Sequence, residues 1–371
     1  MLRRSFRPGI ETLEARDVPT VTYSLIDGGQ TLKITGSKNW DTIDIVQNDD
    51  ANTLEISTAV LSKVEGAAVS NLASRSFTSS SIKKIVVDLG QGDDKFSYTL
   101  AEGTNLIYGK KIFVNGNGGN DTIRIDTANP GFAGGVEIPE FTNKRDRYLF
   151  YLAHPELLNN DGGIAIDPMP VHSRIEDKLH ITIEGGAGDD RVDFVLGEVS
   201  ASNTVHVTTN LGDGNDSFTL TNQYLIDERA SVYVNVSGHQ GDDFIDVSIH
   251  GDIADRALVD LIFRGGNGND VLNQGVFGAV NGRVNARAWG NNGADELTFT
   301  ATATAESTGQ ISVVQQGNAG DDMLTFQVSD VVFQLLADVD VDGGSGANSG
   351  ILTHDVSAQN LDTILWMPAL I

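Results

Sequence analysis

The chain contains no cysteine. Disulfides, thiolate zinc sites, iron–sulfur clusters and cysteine nucleophiles are therefore excluded. Basic residues are scarce: 25 Lys and Arg stand against 51 Asp and Glu, a net charge of −26 over 371 residues. Such a chain repels phosphate backbones and anionic lipid surfaces, which argues against nucleic-acid and membrane-surface partners. No apolar run reaches the roughly 18 residues of a membrane span, so none is expected. Also lacking are a P-loop, a His-Glu-x-x-His zinc site, a Gly-x-Ser-x-Gly elbow and a complete Gly-x-Gly-x-x-Gly in a strand–helix setting. Few segments read as helical.

Glycine is what the chain has in excess: 41 residues, about 11%, against a usual level of about 7%. The hydrophobic fraction of 40% suffices for a sizeable core, so disorder throughout is not expected. The length allows two or three domains or one long repeat array. An acidic, glycine-rich surface suits divalent cations better than a macromolecular polyanion.

Nine aspartates, each preceded by a glycine-rich corner, set a repeat: Asp41, Asp94, Asp121, Asp190, Asp216, Asp243, Asp270, Asp295 and Asp322. Their spacings are 53, 27, 69, 26, 27, 27, 25 and 27. The 53 reads as two periods with a degenerate rung between, from Gly66 to Asn71. The 69 reads as one period plus an insertion. Two residues after each aspartate stands a large apolar residue (Ile43, Phe96, Ile123, Val192, Phe218, Ile245, Leu272, Leu297, Leu324). Four residues after it the residue is apolar at every repeat except Gln274. Nine residues before the last eight come Ile85, Ile112, Ile181, Val207, Val234, Leu261, Ala286 and Val313. Period-two alternation around each corner, as in Leu179-His180-Ile181-Thr182-Ile183, is strand periodicity with one face buried.

Each repeat is thus strand, tight corner, strand and a longer return. One such unit cannot bury its apolar face; stacked units can, because equivalent residues form columns. The expected fold is all-β: a parallel β-solenoid, a right-handed β-helix or β-roll, of about ten coils spanning on the order of 50 Å. A set of β-sandwiches with Gly-Asp hairpin turns is the alternative, but it needs no strict 27-residue period. The expected organisation is a disordered leader over 1–20, solenoid repeats over 21–330 interrupted at 128–178, and a C-terminal coil and cap over 331–371 that includes Trp366.

The corner glycines permit positive φ and let backbone carbonyls point at one spot. Stacked aspartates ~4.8 Å apart repel by roughly 1 kcal/mol at water's dielectric and by ~3–4 kcal/mol at an effective dielectric of 20. Ca²⁺ would relieve this, because it takes hard carboxylate and carbonyl oxygens. Alternatively, each aspartate accepts N–H groups of its own corner, as in an Asx-turn, with no metal. The nine corner windows hold 20 of the 41 glycines and a net charge of −13, half the total.

The corners resemble the Gly-Gly-x-Gly-x-Asp-x-(large apolar)-x nonapeptide of RTX, or hemolysin-type, calcium-binding repeat proteins. Gly185 to Asp193 and Gly265 to Asn273 match every fixed position. Gly90 to Phe96 and Gly212 to Phe218 lack the first glycine, and the corners ending at Asp243, Asp295 and Asp322 lack the second. The resemblance implies Ca²⁺ held by carboxylates and glycine carbonyls of successive turns. Its ligands would be Asp94, Asp121, Asp190, Asp216, Asp243, Asp270, Asp295 and Asp322. In that family the nonapeptides run in tandem, whereas here one occurs per 27 residues. Near the start, Leu13-Glu14-Ala15-Arg16 followed by Val18-Pro19-Thr20 resembles the Leu-Glu-x-Arg (LEPR-type) leader of bacterial surface and exported proteins. That resemblance implies an extracellular or cell-surface location.

Residues 128–178 hold five of the eight prolines and the basic stretch Lys144-Arg145-Asp146-Arg147, followed by Tyr148. They read as a loop with a short helix over one solenoid face, or as a substrate cleft formed with His154 and Glu156. The run Asp338-Val339-Asp340-Val341-Asp342-Gly343-Gly344 lacks the final glutamate of an EF-hand and reads as a solvated strand end or loop. The expected function is a non-catalytic, calcium-binding surface or matrix solenoid with a structural or adhesive role, its partners calcium ions and extracellular polysaccharide or surface components. The alternative is a polysaccharide lyase or hydrolase with a groove near the insertion.

Overall fold

The computed structural model describes residues 21–64, 67–128, 173–305, 307–353, 358–359, 361 and 363–366. The architecture is a parallel β-solenoid of about eight full turns. Shorter rungs at each end bring the stack to about the ten coils expected. The leader and the insertion residues Lys144, Arg145, Arg147, Tyr148, His154 and Glu156 lie outside the described residues.

One rung shows how the sequence builds the coil. Strand Ser231–Gln240 alternates Val232, Val234 and Val236 inward with Tyr233 and Asn235 outward. β-Branched residues suit such a half-buried pleat. The chain turns at Gly238–Asp243 into strand Phe244–Ile249, whose Ile245, Val247 and Ile249 face the same core. It returns through Ile253 to the next rung at Leu258–Asn267. Parallel pairing repeats this in register, Val232 with Val259 and Ile245 with Leu272. The strands before the corners form sheet A and those after form sheet B. A narrow third side is a column of single bridges through Val199, Ile226, Ile253 and Val280.

The predicted apolar columns are the core. Ile85, Ile112, Ile181, Val207, Val234, Leu261, Ala286 and Val313 are all buried and stack across neighbouring rungs. Gln274, the exception in its column, is buried as well and donates Nε2–H to Arg287 O at 3.1 Å.

The 53-residue spacing has a different origin from the one expected. Strands Thr53–Val64 and Ala67–Thr78 form an antiparallel hairpin, so no degenerate rung runs from Gly66 to Asn71. Strand Trp40–Asn48 pairs directly with Lys95–Leu100, which stacks Asp41 on Asp94. The alternating residues of the hairpin extend sheet B antiparallel, and Asn52 at φ 53° turns the chain where a rung would have continued. Strand Thr53–Val64 thereby covers the N-terminal edge of sheet B, and Thr22–Ile26 covers that of sheet A. The insertion, by contrast, leaves the rungs intact: it departs after Ala128 and rejoins at Ser173, whose N–H donates to Ala128 O at 3.0 Å. Past residue 330, strands Leu336–Asp342, Ser349–Leu352, Ala358–Gln359 and Thr363–Trp366 carry both sheets onward. The acidic run expected as a strand end or loop is thus a strand through Asp342, with Val341 buried and Asp338 exposed.

Glycine occupies the position two before the corner aspartate on eight consecutive rungs, from Gly92 to Gly320, and two before Asn348 at Gly346, always at positive φ. At Gly241, with φ 120°, a Cβ would collide with Gly214 O of the rung below. The Gly241→Ala variant is expected to lose at least about 2 kcal/mol of unfolding free energy by denaturant titration. Gly28→Ala, at φ 69° with open space around it, is expected to lose about 1 kcal/mol or less.

Candidate functional site: the corner aspartates

At each corner the backbone leaves both sheets, so its N–H groups lose their ladder partners. Buried N–H groups must find others. Two left-handed residues make the bend, and in the Asp243 corner they are His239 (φ 83°) and Gly241 (φ 120°). Asn117, Asn291 and Asn318 take the first of these places in other corners. Asparagine tolerates that region better than most side chains, which explains how the glycine pattern can lapse there without loss of the turn.

The corner aspartates point inward and are 1–2% exposed. Each from Asp94 onward accepts, through Oδ1, the N–H of the aspartate one rung earlier. Asp41 N donates to Asp94, Asp94 to Asp121, Asp121 to Asp190, Asp190 to Asp216, Asp216 to Asp243, Asp243 to Asp270, Asp270 to Asp295 and Asp295 to Asp322, all at 2.7–2.9 Å. The bonds run between rungs, where an Asx-turn would close within one corner. Only Asp41, with no earlier rung to serve, accepts from its own corner, from Ser37 N–H and Ser37 Oγ. At the other end Asp322 N donates to Asn348 Oδ1 at 2.8 Å. Asn348 closes a tenth corner, marked in the sequence by its 26-residue spacing from Asp322 and by Gly346 two residues before it.

The second carboxylate oxygen is left over. Oδ2 of Asp94, Asp121, Asp190, Asp216, Asp243, Asp270, Asp295 and Asp322 is buried without a hydrogen-bond partner. In most corners it lies against a glycine five residues back. A Cβ on Gly116 would collide with Asp121 Oδ2 and with the carbonyl oxygen of Gly185 on the next rung; Gly238 stands the same way to Asp243 and Gly265. One carboxylate oxygen and one carbonyl oxygen therefore converge on the same glycine face.

Removal from water dominates the electrostatics. Burial pushes the carboxyls of Asp121 and Asp243 up to about 8, with adjacent ladder carboxylates adding to the rise and the accepted N–H opposing it. For the same leading reason Asp94, Asp190 and Asp295 rise to about 7, and Asp216 and Asp270 to about 6. Asp41 and Asp322 are also raised by burial.

Beside this buried row runs an exposed one that the repeat reading missed. It contains the residues just before the aspartates: Asp93, Asn120, Asp189, Asn215, Asp242, Asn269, Ala294 and Asp321. Except at Ala294, which has no side-chain acceptor, their Oδ1 atoms accept N–H groups from the following rung at 2.7–3.0 Å, opposite in direction to the buried row. From Asp93 to Asn269 charge alternates with amide along it. Successive charges therefore stand ~9.6 Å apart instead of ~4.8 Å, which halves the Coulomb term between them. The alternation is present in the sequence but becomes meaningful only once these residues are known to stack.

A second buried polar cluster was not visible in the sequence. Lys110, 1% exposed, donates to Tyr108 O at 2.6 Å and Ser79 O at 3.2 Å, and burial lowers its ammonium to about 8. Nearby Asp49 accepts Ser79 Oγ, Gln47 Nε2 and the N–H groups of Ile107 and Tyr108. This cluster ties the hairpin to the adjoining rungs.

The eight aspartates named from the RTX resemblance are thus brought into one row. Among the described residues no three acidic or histidine side chains surround one point. The donor chemistry fits a hard cation: the corners of Asp121, Asp190, Asp243 and Asp322 each offer a free carboxylate oxygen beside a backbone carbonyl oxygen of the next rung, and completing six to eight ligands would fall to further carbonyls.

The pKa shifts fix the sign of the pH response. Each folded pKa lies above its unfolded value of 3.8, so the unfolded chain releases these protons first as pH rises. Without metal, the stability that these raised carboxyls contribute is fully present below about pH 4 and is lost as pH rises to about 8. In chelator, the melting temperature is expected to drop between pH 5 and pH 9, beyond the acid range where most proteins lose stability. Asp243→Asn keeps an Oδ1 acceptor, as Asn348 does, and is expected to reduce that drop by a few degrees. A melting temperature that rises from pH 5 to pH 9 would contradict the burial.

No protein-family model, curated protein or solved structure matches the chain.

Proposed function

We propose that the chain is a non-catalytic structural and adhesive β-solenoid of the bacterial cell surface or matrix, whose corner aspartates hold Ca²⁺. The observation that carries the reading is the row of eight buried, unpartnered Oδ2 atoms, with a backbone carbonyl oxygen of the next rung beside those of Asp121, Asp190, Asp243 and Asp322. A rod needs such a row neutralised along its length. At acid pH protons neutralise it; at neutral and alkaline pH Ca²⁺ takes their place on the same oxygens. Asp94, Asp121, Asp190, Asp216, Asp243, Asp270, Asp295 and Asp322 would supply the carboxylates. The ion would contribute charge compensation and a link from rung to rung. Support for a location outside the cell comes from the leader resemblance at Leu13–Thr20.

The test is thermal unfolding at pH 8 and at pH 5, in chelator and across a calcium titration. Calcium is expected to raise the melting temperature by several degrees at pH 8, since a saturating ligand adds about 2.7 kcal/mol per site at a hundred times its Kd. Little change is expected at pH 5, where protons hold the oxygens. A melting temperature at pH 8 that does not move up to about 10 mM calcium would overturn the metal assignment.

A further inference from the structure

The net charge of −26 is unevenly distributed. After residue 178 there are 27 acidic and 6 basic residues, a net of −21; up to that point there are 24 and 19, a net of −5. All ten lysines lie at or before Lys178. The register gathers part of this basic complement on the outer face of sheet A. Lys84, Lys111, His180, His206 and Tyr233 occupy one outward position on five consecutive rungs. Four rung steps of ~4.8 Å make a strip roughly 19 Å long, parallel to the solenoid axis. It ends at Thr31 on one side and at Asp260, which pairs with Arg287, on the other.

The strip has two kinds of contact surface. The first is charge. Lys83 and Lys178 flank it, both exposed. Among the described residues no carboxylate forms a salt bridge with Lys83, Lys84, Lys111 or Lys178. Carboxyls at Asp88, Asp177 and Glu184 lie on the same or adjoining strands; Asp88 accepts Asn117 Nδ2 and Asp177 accepts the Gly109 N–H. The second is a stack of rings. His180 lies on His206 with centroids 4.7 Å apart, and His206 on Tyr233 at 4.4 Å. Stacked along the axis, these rings cover one another's faces and leave their nitrogen- and hydroxyl-bearing edges for an outside partner. Burial, and for His180 the nearby cations, lower both imidazoles, so at neutral pH they offer hydrogen bonds and the lysines carry the charge.

We propose that this strip binds a linear acidic polysaccharide laid along the solenoid axis, its carboxylates on the lysines and its hydroxyls on the ring edges. The inference rests on the adhesive reading and names its binding face. Charge density selects this polymer over other polyanions. Duplex DNA would bring a charge every ~1.7 Å, about 11 over the strip, against four lysines. A polyuronate brings sparser charge with many hydroxyls between. Screening over ~8 Å at physiological salt removes the more distant acids, and of the near ones Asp88 and Asp177 already accept Asn117 Nδ2 and the Gly109 N–H.

The experiment measures binding of the full chain to polygalacturonate in chelator at about 0.15 M ionic strength, with neutral dextran and duplex DNA as comparison polymers. Polygalacturonate is expected to bind, and salt to weaken it. Lys84→Gln with Lys111→Gln is expected to weaken it at least about tenfold, and Tyr233→Ala a few fold. Arg264→Gln, outside the strip, is expected to leave it unchanged. No binding by the parent chain, unchanged binding by the double lysine variant, or equal binding of DNA would overturn the proposal. A chain that gains heat stability from calcium yet ignores polygalacturonate keeps the corner assignment and loses the strip.

Discussion

The structure depends on one constraint: a chain that leaves two sheets at every corner must still satisfy the backbone N–H groups it takes out of them. Three neighbouring N–H groups are served from adjacent rungs. The glycine two before the aspartate donates to a backbone carbonyl, as Gly241 does to Asn267 O at 2.8 Å. The residue just before the aspartate donates to a side chain of the earlier rung, as Asp242 does to Asn215. The aspartate donates to a carboxylate of the later rung, as Asp243 does to Asp270. A buried acceptor that takes a donor in good geometry stabilises by roughly 1–3 kcal/mol, and leaving the donor orphaned costs a similar amount. These bonds make each corner a continuation of the sheets by other means.

The same arrangement creates the electrostatic problem. An acceptor that lies inside must be desolvated, and a carboxylate brings charge with it. The exposed row lightens its burden by alternating aspartate with asparagine. The buried row has no such alternation, and its first neutral amide is Asn348 at the tenth corner. Its carboxyls must therefore take up protons or a cation. Asparagine would have supplied the same Oδ1 acceptor without the charge. The retention of aspartate in nine corners thus suggests a use for charge that hydrogen bonding alone does not require, and the proposed calcium would supply it.

Much of this was legible in the sequence, for definite reasons. A period near 27 with apolar residues two and four after each aspartate can be satisfied by stacked coils, and the columns it predicts are the core. The hairpin at 53–78 was misread because spacing alone cannot separate a rung from an antiparallel excursion of the same length; the absence of a corner aspartate between Asp41 and Asp94 was the available signal. The side on which the aspartates lie was hidden too. A Gly-Asp corner reads as exposed, and only stacking shows that Asp243 faces in while Asp242 faces out. The lysine–histidine–tyrosine strip escaped notice because Lys84, Lys111, His180, His206 and Tyr233 come together only through register across the insertion.

The measurement that bears most directly on the ladder is amide hydrogen exchange at the corner aspartates. Their N–H groups make no sheet bond, so an ordinary surface turn would exchange them rapidly. If each is held by the carboxylate of the next rung, the amides of Asp94, Asp121, Asp190, Asp216, Asp243, Asp270 and Asp295 should exchange within about tenfold of the strand amides of Ile245 and Val247. Exchange of these seven at the rate of exposed turn residues such as Asp255, while the strands stay protected, would contradict the account.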